Sequence, residues 1–195
     1  MDPDAFEDAI TKLEYLVRKV DVKTEPGRNE LLMRARNLAA TLLDQYVLFH
    51  TKIVVSIVKE RGEDRIDEVA SWLHDIGRAV VDKGHREVGA AWAEKWLKKF
   101  YITDEEVERI LDGIRNHGTK DEPKTKTGRL LKLVDALAVF DEGWATMIVE
   151  YRRKWEESGS GERMLLKKFE VVEKMGSEED VQRAKSVLEV LGIAH

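Results

Sequence analysis

Six side chains in this sequence have the types and positions needed to bind a metal ion. Counting at spacings of three and four places them on or beside rows of apolar residues, so we expect them to point into the protein. A single inward histidine is more often a hydrogen-bonded core residue than a ligand, but a set of six favours a shared ion. The six are four internal histidines and two aspartates: His50, His74, Asp75, His85, His117 and Asp135.

The two aspartates make a metal site the better interpretation. Burying an unpaired carboxylate is costly, so Asp75 and Asp135 need partners, and a divalent cation would partner both of them. The sequence contains no cysteine, which excludes thiolate sites and disulfides. Imidazole and carboxylate ligands favour iron, manganese, cobalt, nickel or zinc, and magnesium fits if carboxylates and water dominate.

Helical periodicity runs through the chain that must position these residues, and alternation typical of strands is scarce. We therefore predict an all-α bundle of about eight or nine helices. Thr103 and Ser177 each precede a carboxylate by three positions, which predicts a capping box at two helix starts. The predicted spans are 4–20, 29–61, 65–76, 85–100, 104–116, 126–141, 143–157, 162–175 and 178–191.

The chain length favours one globule with three parts. We expect an N-terminal helix packed on the core in residues 1–28, a metal-binding core in 29–157 and a C-terminal helical extension in 158–195. A stretch rich in Ser and Gly, at 157–162, precedes the last helices. These last helices could close over the mouth of the site, pair two subunits into a homodimer, or cap the core.

Charge and hydropathy bear on whether the protein binds nucleic acids or membranes. A net charge of -5 comes from 38 acidic and 33 basic residues with no basic block, which disfavours general nucleic-acid binding. No apolar run approaches the roughly 20 residues needed to span a bilayer, and the acidic start lacks signal-peptide features, so we expect a cytoplasmic protein. No phosphate-binding glycine loop or serine-nucleophile elbow competes with the metal interpretation.

The segment Ala70–Arg78, with the sequence ASWLHDIGR, resembles the defining segment of the HD superfamily of metal-dependent phosphohydrolases. An upstream histidine, His50, and a downstream aspartate, Asp135, complete an order similar to the one typical of that family. The resemblance covers roughly residues 30 to 141. It implies an HD-domain helical bundle whose hydrolase core is the segment 29–157.

The resemblance also implies a ligand set. Relatives with two additional histidines between the His-Asp pair and the last aspartate usually hold two ions, with the aspartate of the pair as a bridge. Arg78 stands where many relatives have lysine, and it either binds a phosphate oxygen or is a surface charge. By this carry-over the first ion takes His50, His74, Asp75 and Asp135, and the second takes His85, His117 and the bridging Asp75.

The function implied is hydrolysis of a phosphate ester or anhydride, of a nucleotide or a related small molecule, by metal-activated water. A metal-dependent nuclease and a non-catalytic HD module that binds or senses a ligand are the alternatives. Dispersed acidic residues disfavour the nuclease, and a complete ligand set disfavours the non-catalytic module. Tyr46 stands where some two-metal relatives have arginine, so the subfamily and the substrate stay open.

Overall fold

The structure, a computed structural model, describes residues 1–20, 28–61, 64–155 and 160–194. These ranges contain ten α-helices, a short 3₁₀ helix at Ile76–Ala79 and no strand, so the all-α prediction is confirmed. None of these helices has both the length and the apolar character required to cross a bilayer. The α-helices are α1 Pro3–Val20, α2 Arg28–Leu42, α3 Gln45–Glu60, α4 Arg65–Leu73, α5 His85–Leu97, α6 Asp104–Asn116, α7 Lys126–Ala138, α8 Glu142–Trp155, α9 Ser160–Met175 and α10 Glu178–Val190.

The predicted helix 29–61 is wrong, because the chain breaks it into α2 and α3. Asp44 has an extended backbone, and its carboxylate accepts hydrogen bonds from the backbone N–H groups of Tyr46 and Val47 at 2.8 and 3.1 Å. An aspartate in this position satisfies the amides at a helix start that have no partner within the helix. His50 therefore lies in the second turn of α3 rather than in the middle of one long helix.

Helix caps account for most of the other boundaries. The predicted capping boxes at Thr103 and Ser177 are confirmed, with Glu106 and Asp180 as their acidic partners. A further box, formed by Asp64 and Asp67, begins α4. Each box pairs a side-chain oxygen with a backbone amide three residues away, so local sequence is sufficient to start these helices.

The chain divides into two compact units, Met1–Leu131 and Lys132–His195. In the first unit, α4 packs against α2, α3 and α6, and α5 packs against α1 and α6. In the second unit, α9 packs against α8 and α10. The predicted three-part division stays a prediction, and its boundary at residues 157 and 158 lies outside the described residues.

Candidate metal centre

Four helices of the first unit supply the four internal histidines. His50 lies in α3, His74 directly follows α4, His85 begins α5 and His117 directly follows α6. His50, His74 and His117 are buried, and the His85 side chain is only 12% exposed. Three of the four therefore sit at helix ends, where the packing of α4, α5 and α6 brings distant parts of the sequence together.

The carboxylate of Asp75 is the point on which three of these histidines converge. Its Oδ1 atom lies 3.1 Å from Nε2 of His85 and 3.7 Å from Nε2 of His117. Its Oδ2 atom lies 3.6 Å from Nε2 of His74. Asp75, His85 and His117 each offer a ligand atom within 4.8 Å of the others. This group has the composition and the spacing of a metal site.

Backbone hydrogen bonds set which nitrogen each ring turns toward Asp75. In all three rings, Nδ1 contacts the carbonyl oxygen of the residue three positions earlier, and a carbonyl can only accept a hydrogen bond. Nδ1 therefore carries the hydrogen in the neutral ring, and Nε2 presents its lone pair, as in metal-bound histidines. The three contacts are His74 to Ser71 at 2.7 Å, His85 to Asp82 at 2.6 Å and His117 to Ile114 at 2.9 Å.

The contact between His85 and Asp75 fits a cation bound by both side chains. The Nε2 atom of His85 and the Oδ1 atom of Asp75 are buried and form no hydrogen bond. With a neutral ring and an ionised carboxylate, two acceptors face each other, an arrangement that a cation shared by both atoms would stabilise. Metal–ligand bonds of about 2.1 Å place adjacent ligand atoms on one ion roughly 3 Å apart. The donor set and the spacing fit a divalent ion.

The electrostatic surroundings keep Asp75 ionised. Burial alone raises the pKa of this carboxyl group. With the imidazole rings protonated, the charge of His74, hydrogen bonds donated by His117 and His85 and the charge of Arg78 lower it by more, so the pKa lies well below its usual range. An ionised carboxylate is the form that binds a metal ion.

Arg78 lies beside this carboxylate. Its Nε atom is 3.0 Å from Oδ1 of Asp75, and its Nη1 atom is 3.6 Å from Asp82. The side chain is 33% exposed, so the guanidinium borders both the buried acid and the solvent. The structure thus places Arg78 at the predicted site, while its role in phosphate binding stays a prediction.

The histidine rings form a continuous cluster that extends to His50. Ring centroids are 5.6 Å apart for His50 and His74, 5.1 Å for His74 and His117, and 5.9 Å for His117 and His85. Asp135 is buried on α7 in the second unit. Its role as a ligand stays a prediction carried by the resemblance.

Two glycines, Gly77 and Gly89, allow the close approach of Asp75 and His85, and no pattern in the sequence predicts this role. A Cβ atom on Gly77 would overlap the carbonyl oxygen of His85, and one on Gly89 would lie 3.2 Å from the backbone nitrogen of Gly77. The 3₁₀ helix that follows Asp75 therefore contacts the backbone of α5 directly.

Asp112 also holds the site's surroundings in place, and the sequence did not predict this role. This buried aspartate of α6 accepts hydrogen bonds from the backbone N–H and the hydroxyl of Thr125, both at 2.7 Å. It also accepts from the Lys124 backbone N–H at 3.0 Å and the Asn116 amide at 2.7 Å. It thus secures the loop that follows His117. The only signal in the sequence was a carboxylate between apolar residues of α6.

Comparison with known families agrees with the arrangement of these residues. Residues 47–139 match the family model described as HD domain. The matched segment contains all six predicted metal ligands and lies within the segment over which the resemblance was expected. No curated protein and no solved structure matches this chain.

Proposed function

We propose that this protein, whose residues 47–139 match the HD domain model, is a metal-dependent phosphohydrolase acting on a small phosphate ester or anhydride. HD domains bind divalent metals and belong mostly to hydrolases. The observation that carries the proposal is the convergence of three histidine Nε2 atoms on the buried carboxylate of Asp75. With neutral rings, these nitrogens are acceptors directed at a carboxylate, an arrangement that a shared divalent ion would stabilise.

The proposed ligands follow the two ions of the resemblance. Asp75, His85 and His117 hold one ion, and Asp75 is shared with the other. The resemblance assigns His50, His74 and Asp135 as the remaining ligands of that other ion. When bound, the ions supply Lewis acidity, which lowers the pKa of a coordinated water and neutralises charge on a phosphoryl group.

The protein's own residues orient and enclose this chemistry. The carbonyl groups that accept from each Nδ1 hold the rings in one tautomer, and burial of Asp75 excludes bulk water from its carboxylate. Arg78 has the donors to bind a phosphoryl oxygen, since its guanidinium is partly exposed beside Asp75. These roles are those expected of a hydrolase of phosphate compounds.

A nucleotide is the proposed kind of substrate, supported by two exposed aromatic side chains near His50. Tyr46 and Phe49 are 48% and 46% exposed on α3. Tyr46 lies one turn before His50 on the same helix, and Phe49 is its immediate neighbour. Aromatic rings exposed on the helix that carries a proposed metal ligand suit stacking of a nucleobase.

Metal content is the first test. Untagged protein loaded with Mn²⁺ and desalted is expected to retain about two ions per chain by plasma mass spectrometry. The loaded protein is then tested for phosphate release from nucleotides and simple phosphomonoesters. Retained metal with no release from any of these would contradict the proposed activity and leave a ligand-binding module.

Substitution of the shared ligand tests the assignment of the site. Asp75→Asn keeps the size of the side chain but removes its charge, so bound Mn²⁺ and phosphate release should both be lost while the helical circular dichroism is kept. Asp8→Asn, on the exposed surface of α1, is the matched control and should behave as the wild type. Normal turnover in the Asp75 variant would refute the assignment.

A further inference from the structure

Arg86 and Asp121 form an ion pair within the first unit. Arg86 lies in the first turn of α5, directly after His85, and Asp121 lies in the loop after α6, a few residues beyond His117. The two side chains are 28% and 25% exposed, so the pair is partly shielded from water. It therefore connects the two segments that carry two of the proposed ligands of one ion.

The pair lies directly on the backbone beside His117. A Cβ atom on Gly118 would overlap both the Nη1 atom of Arg86 and the Oδ2 atom of Asp121. The backbone N–H of Asp121 donates to the carbonyl oxygen of Gly118 at 3.2 Å, which closes a turn over residues 118–121. The guanidinium group of Arg86 is thus in contact with the residue that follows His117.

The hydrogen bonds at Nδ1 hold the rings of His85 and His117 only relative to their own segments, because each ring contacts a carbonyl oxygen three positions earlier. The separation of the two rings, whose centroids are 5.9 Å apart, depends instead on how the start of α5 and the end of α6 lie against each other. The pair of Arg86 and Asp121 spans that junction.

Attraction of a metal ion does not explain an arginine at this position. A guanidinium group near a metal site repels the ion, so its charge by itself would weaken binding. Asp121 compensates the charge of Arg86, and the pair then adds no net charge beside His117. The pair is therefore suited to fixing the geometry of the ligands.

We infer that Arg86 is a positioning residue for the ion bound by His85 and His117. Its ion pair with Asp121 holds the two rings at the separation that one ion requires. The inference rests on the proposed function and deepens it, because it names a contact on which one of the two proposed ions depends. Residues that orient metal ligands commonly change metal affinity by about 10- to 100-fold.

The test measures Mn²⁺ affinity by isothermal titration, with Arg86→Gln, Arg86→Lys and Asp121→Asn as variants. In Arg86→Gln and Asp121→Asn we expect one of the two ions to bind about tenfold or more weakly, because the ligand separation is no longer held. Arg86→Lys keeps the charge and can still donate to Asp121, so its Mn²⁺ affinity should stay within a few-fold of the wild type.

The direction of the change in Arg86→Gln separates positioning from the other roles of an ion pair. If Arg86 acted only through its charge, its removal would strengthen Mn²⁺ binding. If the pair only stabilised the fold, the Tm of the metal-free protein would fall while the Mn²⁺ affinity of the folded protein stayed the same. Thermal unfolding of each variant, followed by circular dichroism, accompanies the titrations.

Glu94→Gln is the matched control, because Glu94 forms another ion pair between α5 and α6. It lies 3.6 Å from Arg115, and the side chains are 47% and 41% exposed. Loss of this more exposed pair should leave the Mn²⁺ affinities unchanged. If Arg86→Gln does not fold, Asp121→Asn decides when it is titrated at low and high salt, because a loss caused by charge alone shrinks with salt and a loss of positioning does not.

Two results would overturn the inference and leave the proposed function intact. One is a Mn²⁺ affinity of Arg86→Gln that equals or exceeds that of the wild type. The other is an equal loss in Glu94→Gln, which would show that any weakened contact between α5 and α6 has the same effect. Absence of Mn²⁺ binding by the wild type would instead refute the proposed function, and the inference with it.

Discussion

The Nε2 atom of His85 lies 3.1 Å from the Oδ1 atom of Asp75, and both atoms are buried without a hydrogen bond. The Nδ1 atom of His85 is engaged by the carbonyl oxygen of Asp82 at 2.6 Å, so the nitrogen facing Asp75 is an acceptor in the neutral ring. With the carboxylate ionised, this pair of acceptors has the chemistry and the spacing of two ligands of one divalent ion.

Replacing His85 with Ala should lower bound Mn²⁺ from about two ions per chain to about one, because one proposed ion loses a ligand while the other keeps its set. His117→Ala should do the same, and His74→Ala should remove a ligand of the other ion. Plasma mass spectrometry on the desalted proteins measures this. Full metal content in both the His85 and the His117 variants would contradict a two-ion site.

Replacing Arg78 with Met should leave the bound Mn²⁺ unchanged and lower kcat/KM about tenfold or more, because a charged donor to the phosphoryl group is removed. Arg18→Met, whose parent side chain is 79% exposed on α1, is the control. Steady-state kinetics on a substrate found in the screen measures the effect. If kcat/KM is unchanged, Arg78 is a surface charge paired with Asp75.

Replacing Tyr46 and Phe49 together with Ala should raise KM for nucleotides about tenfold, since base stacking on an aromatic ring contributes about 1–3 kcal/mol. KM for glycerol phosphate, which has no base, should not change. Tyr101→Ala, at a side chain 80% exposed, controls for loss of a surface aromatic. Equal effects on both substrates would exclude a base-stacking role.

Replacing Gly77 with Ala should lower the free energy of unfolding by about 1–3 kcal/mol, because the added Cβ atom meets the carbonyl oxygen of His85. The same displacement should weaken the binding of the ion shared by Asp75 and His85. Urea unfolding and Mn²⁺ titration measure the two effects. Gly143→Ala is the control, because among the described residues its Cβ atom would meet Asp141 alone, at an ordinary 3.5 Å.

Replacing Asp112 with Asn should destabilise the protein in a pH-dependent way. Burial raises the pKa of Asp112, but hydrogen bonds from Thr125, Asn116 and Lys124 lower it by more, so the folded pKa lies below the ordinary aspartate value of 3.8. A lowered folded pKa stabilises the protein above the unfolded pKa, and this stabilisation is lost as the pH falls through the folded pKa.

The difference in Tm between wild type and the Asn variant should therefore be constant from about pH 5 to 7 and shrink below pH 3.8. Thermal unfolding followed by circular dichroism across this range checks the prediction. A difference that grows as the pH falls would have the wrong sign and would contradict it.

The amino-acid sequence by itself determined the helical class, the capping boxes at Thr103 and Ser177, and the inward set of histidines. These features depend on contacts between residues three or four positions apart, which the order of residues specifies directly. The sequence also contains the signal for the break between α2 and α3, the capping aspartate Asp44. A single capping aspartate is a weak signal within a long apolar periodicity.

Only the tertiary structure decided which of the inward side chains meet. The convergence of His85 and His117 on Asp75 depends on how α4, α5 and α6 pack, and the direct contact at Gly77 and Gly89 has no local signature. The pairing of Lys168 with Asp135 likewise joins residues on different helices. Such contacts arise from packing between distant segments, which a pattern of three and four positions cannot encode.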